Sequence, residues 1–495
     1  MPETPTLSKS RYMAGWQCPL KLWYECFCPD LAQPADEASL ARRQEGDEVG
    51  ALARQRFPGA LVTAGWDRPS EAREETRRLM ADPSVNAIHE AAFEFEGATA
   101  RVDILRRNDD GTWDLIEVKS VGEAEDVHRR DASFQRWLLG KAGIPMSRTW
   151  LMVLNKAYRY QGGALDLTQL FRMIDLSACA ERVAPGIEQE VVRFRAVLGA
   201  SDGPKVSPSS HCYEPYECAY LQHCTAHWPK VDHPVEWLPS YGGKTSMKAH
   251  QAGTHSMMDL PPERLNALQR RVLDCYKAQS PWVGSGLAKA LEAFTFPIHF
   301  LDFETVSSAI PRLVGSGPYE AIPFQWSCHT LDEQGRLTHH EYLVDDTSYP
   351  REKLFTALLE VLGEAGTICV YYAAFERGKF KDAIREHPHL AERLQPAIDR
   401  IVDLHPIVKE HVYHPAFYGS FSIKWVLPAL VPELSYKELA VQDGMAAVRG
   451  FLDMLGTTDP EAREAKRKDL LDYCGLDTLA MVKVREALIR LAQTH

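Results

Sequence analysis

Residues 101–120 read RVDILRRNDDGTWDLIEVKS. Two runs rich in strand-forming residues flank NDDG, a strong turn sequence, so the stretch predicts a β-hairpin. With Asp109 to Gly111 as a three-residue loop, Asp103 falls opposite Glu117. Side chains alternate across a strand, so Glu117 and Lys119 share a face. The hairpin then gathers two carboxylates and an ammonium in one patch. Carboxylate oxygens suit Mg²⁺ or Mn²⁺, and a lysine can orient a water or stabilise charge on a phosphate. A solvent-exposed salt bridge is the competing reading of these residues alone.

Outward from the hairpin, AAFEFE (91–96) predicts a preceding strand. A helix is expected over 127–141, followed by the apolar strand RTWLMVLN (148–155). The whole chain of 495 residues is too long for one hydrophobic core, so two or three domains are expected. Hydrophobic content of 45% with 25% charged residues is that of a soluble globular protein. No apolar run reaches the roughly 20 residues of a membrane span. The opening MPETPTLSKSRYMAGWQC lacks an apolar signal core, which gives a cytoplasmic expectation. The eleven cysteines are then expected as free thiols or metal ligands. The net charge of −12 argues against a nucleic-acid coat, yet is compatible with a local basic channel and carboxylate-held metals. No glycine-rich phosphate loop is present, so no ATP motor is expected in this chain.

Asp103, the run Glu117-Val118-Lys119 and Gln135 in the following helix together resemble the PD-(D/E)XK pattern of RecB-like nucleases. The resemblance covers roughly residues 1–232. It implies that Asp103 and Glu117 bind a divalent metal, that Lys119 acts in catalysis and that Gln135 supports the site. Many relatives carry a metal-binding histidine on an upstream helix. In EGDEVGALARQRFPG (45–59) Gly50 stands at that position, with Glu45 or Glu48 as candidate substitutes.

Further along, HCYEPYECAYLQHC (211–224) spaces Cys212, Cys218 and Cys224 evenly. A metal centre usually takes four ligands. A subset of RecB-like nucleases holds a [4Fe–4S] cluster on one cysteine before the nuclease core and three after it. The resemblance therefore implies Cys18, in GWQCPLKLWYE, as the fourth ligand. Four thiolates suit such a cluster, and closing so long a loop removes much chain entropy. The even spacing departs from the commoner family pattern. Zinc remains an alternative, with His211, His223 and His227 close by, as do ordinary buried thiols. Cys26 and Cys28 compete with Cys18 for the distant position.

The second half opens with PIHFLDFETV (297–306), a strand that puts Ile298, Phe300, Asp302 and Glu304 on one face. Two acids at the end of an apolar strand are costly to bury unless paired or metal-bound. In DYCGLDTLAM (472–481), Tyr473 and Asp477 lie i, i+4 on an expected helix. Glu376, in YYAAFERGKF, follows a hydrophobic strand end.

These three segments resemble the motifs of DnaQ-like (DEDD) exonucleases of the tyrosine type, over roughly residues 296–495. The resemblance implies a ribonuclease H-like fold, metal ligation by Asp302, Glu304, Glu376 and Asp477, and a water-orienting Tyr473. Relatives carry aspartate where Glu376 stands and asparagine where Tyr372 stands; Asp403, in IVDLHP, is a candidate replacement acid. The stretch YGSFSIKWVLPAL (418–430) resembles the segment between the second and third motifs.

The expectation is an α/β chain: a restriction-endonuclease-like domain over 1–232, a linker and helical connector over 233–295, and a ribonuclease H-like domain over 296–495. The whole resembles an uncharacterised bacterial family joining these two modules. It implies a phosphodiester-hydrolysing nuclease dependent on Mg²⁺ or Mn²⁺. The expected substrate is DNA ends or single strands, ahead of RNA, with a separate helicase or defence-system protein as partner and no membrane association. The rival expectation is a nucleic-acid-binding or scaffolding protein with one or both sites silent.

Overall fold

A computed structural model describes residues 4–348, 351–434 and 440–494. The chain divides into two compact units, both mixed α/β. The first runs to Pro229 and takes in Ser308–Arg312 and Ser316–Tyr319; the second holds Lys230–Ser307, Leu313–Gly315 and the chain from Glu320.

The first unit begins with β1 (Leu7–Ser8), α1 (Lys9–Gln17) and α2 (Pro19–Phe27). The Ser8 hydroxyl accepts from Arg11 N and caps α1. Cys18 is extended and Pro19 opens the next helix, so the chain turns at that cysteine. Next come α3 (Glu37–Arg56), β2 (Ala60–Leu61), α4 (Pro69–Ala81), β3 (Ala87–Phe95), β4 (Ala98–Arg107) and β5 (Trp113–Val118). After these lie α5 (Asp126–Lys141), β6 (Met146–Leu154), α6 (Leu167–Leu170), β7 (Phe171–Asp175), α7 (Ser177–Leu198) and α8 (Leu221–Thr225). The sheet runs β2-β3-β4-β5-β6-β7, with β1 alongside β4. Strands β3, β4 and β5 form an antiparallel meander, and β6 joins β5 in parallel after the α5 crossover. The β4–β5 ladder pairs Ile104 with Ile116, so the next residues, Asp103 and Glu117, stand opposite each other. Helices α5 and α7 pack together over a core in which the rings of Tyr12 and Phe134 stack at 4.3 Å.

The second unit carries α9 (Lys244–Gln251), α10 (Ala267–Ala278), β8 (Trp282–Val283) and α11 (Leu287–Leu291) before its main sheet. The stretch read as a linker is folded: Val235, Leu238, Met257 and Leu260 are buried in one core with Ile298 and Phe300. Its apolar residues sit in short turns, which is why they show no period.

The main sheet comprises β9 (Ile298–Val306), β10 (Ile322–Leu331), β11 (Leu337–Leu343), β12 (Thr367–Val370) and β13 (Ile401–Asp403). Between them lie α12 (Arg351–Leu362), α13 (Ala373–Glu386) and α14 (Ala391–Asp399). The chain closes with α15 (Leu404–His411), β14 (Val412–Tyr413), α16 (Ile423–Leu430), α17 (Gly444–Gly456) and α18 (Pro460–Thr494). The order is β11-β10-β9-β12-β13. Strands β9, β10 and β11 are antiparallel, while β12 and β13 run parallel with β9. Strand β9 is central, and α18 packs against it and β10. Alternation sends Leu301 and Phe303 into one core layer and Ile298 and Phe300 into the other, with α18. Asp302 and Glu304 follow on the α18 side. No helix among the described residues is long and apolar enough to cross a membrane.

Candidate functional sites

In the first unit, Glu117 is fully buried at the end of β5. Lys119 Nζ lies 2.6 Å from Glu117 Oε1 and 2.6 Å from Asp131 Oδ2. Gln135 Nε2 donates to Glu117 Oε2 at 2.6 Å and to Asp131 Oδ1 at 3.1 Å. Lys9, at the start of α1, reaches Glu117 Oε1 at 2.9 Å and Asp131 Oδ1 at 3.7 Å. Asp103 accepts from Val118 N at 2.8 Å. The four residues expected here, Asp103, Glu117, Lys119 and Gln135, are thus gathered at one place, together with Lys9 and Asp131.

Burial opposes the charge of Glu117, but Lys119 and Lys9 outweigh it and hold the carboxyl well below its usual range. Burial and then Glu117 push Asp103 up to about 7, against the pull of Lys9 and Lys119. Burial also works against both ammonium groups, and Asp131 and then Glu117 reverse it, so each lysine stays protonated above its ordinary value.

A side chain at Gly50 would meet Arg54 Nη1 at 3.8 Å from its Cβ, and Arg54 pairs with Glu90 at 3.7 Å. A guanidinium therefore stands beside Gly50. Glu45 accepts from Ala309 N at 2.5 Å and Glu48 pairs with Arg312 at 2.9 Å. Both candidate substitutes are committed to other partners.

All four expected thiols line one small cavity, with Lys21, Tyr24, His211 and Tyr220. Cys18 stands at the α1–α2 corner, Cys212 in a 3-10 turn and Cys224 on α8. Gln17 Nε2 clips the cysteine loop to α1 by donating to His211 O at 3.0 Å and Tyr216 O at 2.7 Å. Cys218 N donates to Cys212 O at 2.8 Å. Burial pushes the thiols of Cys212, Cys218 and Cys224 upward, the last to about 11. Cys26, Cys28, His223 and His227 do not line the cavity; of the three histidines, His211 does.

In the second unit, Asp302, Glu304 and Cys474 each offer a ligand atom, all within 4.8 Å of one another. No three of the four thiols in the first unit meet that spacing. Burial, then Asp477, Glu304 and Glu376, drive Asp302 well above its ordinary value. Burial and Asp477 push Glu304 up to about 8 despite Lys424. Glu376, in the first turn of α13, is buried, and its Oε2 has no hydrogen-bond partner. Burial pushes it up to about 8 as well. The Tyr473 hydroxyl is held protonated by burial and then by Asp477, Glu304 and Asp302.

Asp403 is otherwise engaged. It accepts from Tyr372 N at 3.0 Å, Ala373 N at 2.8 Å and His405 N at 3.0 Å. It therefore fixes the β12–α13 turn, where Tyr372 adopts φ 75°.

Lys9, Asp131 and Lys424 went unassigned in the sequence. Asp131 and Gln135 are four apart on one helix, a same-face signal that picks out Asp131. Lys9 carries no such signal, because it reaches Glu117 only through the tertiary fold. Lys424 lies in the stretch 418–430 but has no role assigned there; its Nζ lies 5.8 Å from the Tyr473 ring centroid.

A family described as a domain of unknown function, DUF2779, matches residues 299–422. That span includes Asp302, Glu304 and Glu376 and stops short of Tyr473 and Asp477. No curated protein matches. Among solved structures, one titled "Crystal structure of SSO0001" is 14% identical, with a TM-score of 0.21, covering 46% of this chain and 88% of its own.

Proposed function

We propose that this chain is a metal-dependent nuclease with two separate phosphodiester-hydrolysing sites, acting on DNA ends or single strands ahead of RNA. The observation that carries the reading is the acid set of the second unit. Asp302, Glu304, Glu376 and Asp477 crowd one buried region, and Glu376 Oε2 is unpartnered. Oxygen donors held in excess of local positive charge fit a hard divalent cation. The meander, crossover helix and parallel strand of the first unit support a PD-(D/E)XK core. The strand order around β9 supports a ribonuclease H-like fold for the second.

In the first site, Asp103 and Glu117 would hold Mg²⁺ or Mn²⁺; in the second, Asp302, Glu304, Glu376 and Asp477 would do so. Such an ion supplies Lewis acidity and neutralises charge on a phosphate. Lys119, clamped between Glu117 and Asp131, presents a fixed ammonium to the scissile group. Gln135 fixes the second oxygen of Glu117. The protonated Tyr473 hydroxyl orients an attacking water.

The cysteine cavity supports a [4Fe–4S] cluster over a single zinc ion. Tetrahedral zinc with bonds near 2.3 Å draws its sulfurs to roughly 3.8 Å apart, and no three of these thiols gather within even 4.8 Å of one another. The cluster would tie α1 to the end of the unit. A brown protein absorbing near roughly 400 nm is the expected signature; a colourless protein with stoichiometric zinc overturns it.

A binding role with a silent first site has one observation in its favour. Lys9 and Lys119 already neutralise Glu117 and Asp131 without any metal. Cleavage of labelled single- and double-stranded DNA and RNA with Mn²⁺ separates the readings. Lys119→Ala and Asp302→Ala are each expected to remove a distinct part of the activity. Unchanged cleavage in both would overturn the assignment.

A further inference from the structure

The donor set of the second unit includes a sulfur. Cys474 is fully buried on α18, and its Sγ lies within 4.8 Å of ligand oxygens of both Asp302 and Glu304. A buried cysteine is more often a small apolar filler, packed against hydrocarbon. Here two carboxylates of the central strand stand within that reach, and Cys474 lies one residue along the helix from Tyr473 and three before Asp477. Glu376 stands outside that three-atom group, yet it is nearly all buried, its Oε2 has no hydrogen-bond partner, and its charge acts on Asp302. A site built only for Mg²⁺ has no use for sulfur, because Mg²⁺ takes oxygen ligands. Thiolates select softer ions such as Zn²⁺.

We propose that Cys474 Sγ is a metal ligand beside Asp302 and Glu304, so that the second site takes a borderline divalent ion, Zn²⁺ or Co²⁺, through one sulfur and several oxygens. The inference rests on reading this acid set as a metal site. Binding forms a metal–sulfur bond and releases the thiol proton to solvent, so no oxidant or reductant is needed. The carboxylates hold a hard ion without the sulfur, whereas a borderline ion uses all three donors. Metal choice at this site then depends on Cys474.

The test is Co²⁺ titration of the full-length protein, read by the near-ultraviolet sulfur-to-cobalt charge-transfer band. The four thiols of the first unit, with the iron–sulfur cluster proposed for them, absorb in the same region. The readout is therefore the difference between wild type and variants that keep those thiols. Cys474→Ser is expected to lose absorbance worth one thiolate per chain and to bind Co²⁺ roughly tenfold more weakly, with Mn²⁺ affinity nearly unchanged. Asp302→Asn, with Cys474 intact, is expected to lose the same absorbance because the ion is no longer held. If the serine variant fails to fold, Cys474→Ala replaces it. Loss of Co²⁺ in Asp302→Asn with no change of band in the cysteine variant overturns the sulfur ligand and leaves the nuclease reading standing. Unchanged Co²⁺ binding in both overturns the metal site itself, and the inference with it.

Discussion

Lys9 Nζ sits 2.9 Å from Glu117 Oε1, and the helix that begins at Lys9 ends at Gln17, next to Cys18 on the wall of the four-thiol cavity. One nine-residue helix thus bridges the acid patch and the cysteine centre of the first unit. Its two ends are held by different chemistry, an ion pair at one and the Gln17 amide, beside the Cys18 thiol, at the other. Each end gives its own prediction.

At the acid end, Lys9 serves as the counter-charge of Glu117 where no metal is bound. Lys9→Ala leaves that carboxylate with Lys119 and Gln135 alone. Breaking a buried pair by removing one partner costs about 3–5 kcal/mol, and less here because Lys9 is partly exposed. Thermal unfolding is expected to drop in the metal-free protein and to recover with Mn²⁺. The same loss with and without Mn²⁺ would mean that Lys9 and the ion do not share a role.

At the thiol end, Cys18→Ser is expected to lower bound iron and to destabilise the first unit by several kcal/mol, since a structural metal centre contributes folding energy. Cys28→Ser is the control, because Cys28 does not line the cavity. Iron content and unfolding temperature report both. A Cys28 variant that loses the metal while the Cys18 variant keeps it would reverse the ligand assignment.

Asp103 sets the pH dependence of the first site. Its folded value is raised, from 3.8 to about 7, by burial and then Glu117. Between those values the unfolded chain binds fewer protons than the folded one, so metal-free stability falls as pH rises through that window. Metal binding runs the other way, since the ion needs the carboxylate. In an Asp302→Asn background, Mn²⁺ affinity is expected to strengthen about tenfold per pH unit below 7, with one proton released. Calorimetry at pH 6 and pH 8 reads this; equal affinity at both would remove Asp103 from the ligand set.

What was legible in the sequence was local. The NDDG turn and strand alternation set Asp103 opposite Glu117. Residues 298–304 and the Tyr473–Asp477 spacing put acids on defined faces of β9 and α18. The rest depended on tertiary packing. Lys9 meets Glu117 across the unit, with no period to mark it. Residues 228–262 looked like linker because apolar side chains in 3-10 turns have no repeat, yet Val235 and Met257 are wholly buried. Asp403 looked like a spare acid because composition does not reveal backbone amides already bonded to it.

Glu376 gives the last prediction, because its length and its isolation pull in opposite directions. It stands one methylene longer than the aspartate of the resembling exonucleases, and it is buried with Oε2 unpartnered. Burial raises its pKa from 4.5 to about 8. An unfolded carboxyl is ionised above 4.5 while the folded one keeps its proton until about 8. Metal-free stability is therefore lost as pH rises across that interval. Glu376→Gln removes the titration and keeps the shape. The variant is expected to match wild type closely near pH 5 and to exceed it near pH 8 by a few kcal/mol, since wild type loses up to about 1.4 kcal/mol per pH unit across the interval. Saturating Mn²⁺ is expected to invert the order at pH 8, since only the carboxylate gains a bond to the ion. Unfolding of both proteins at the two pH values, with and without Mn²⁺, decides the matter. A variant weaker than wild type by the same amount under all four conditions would make Glu376 a packing residue and take it out of the metal site.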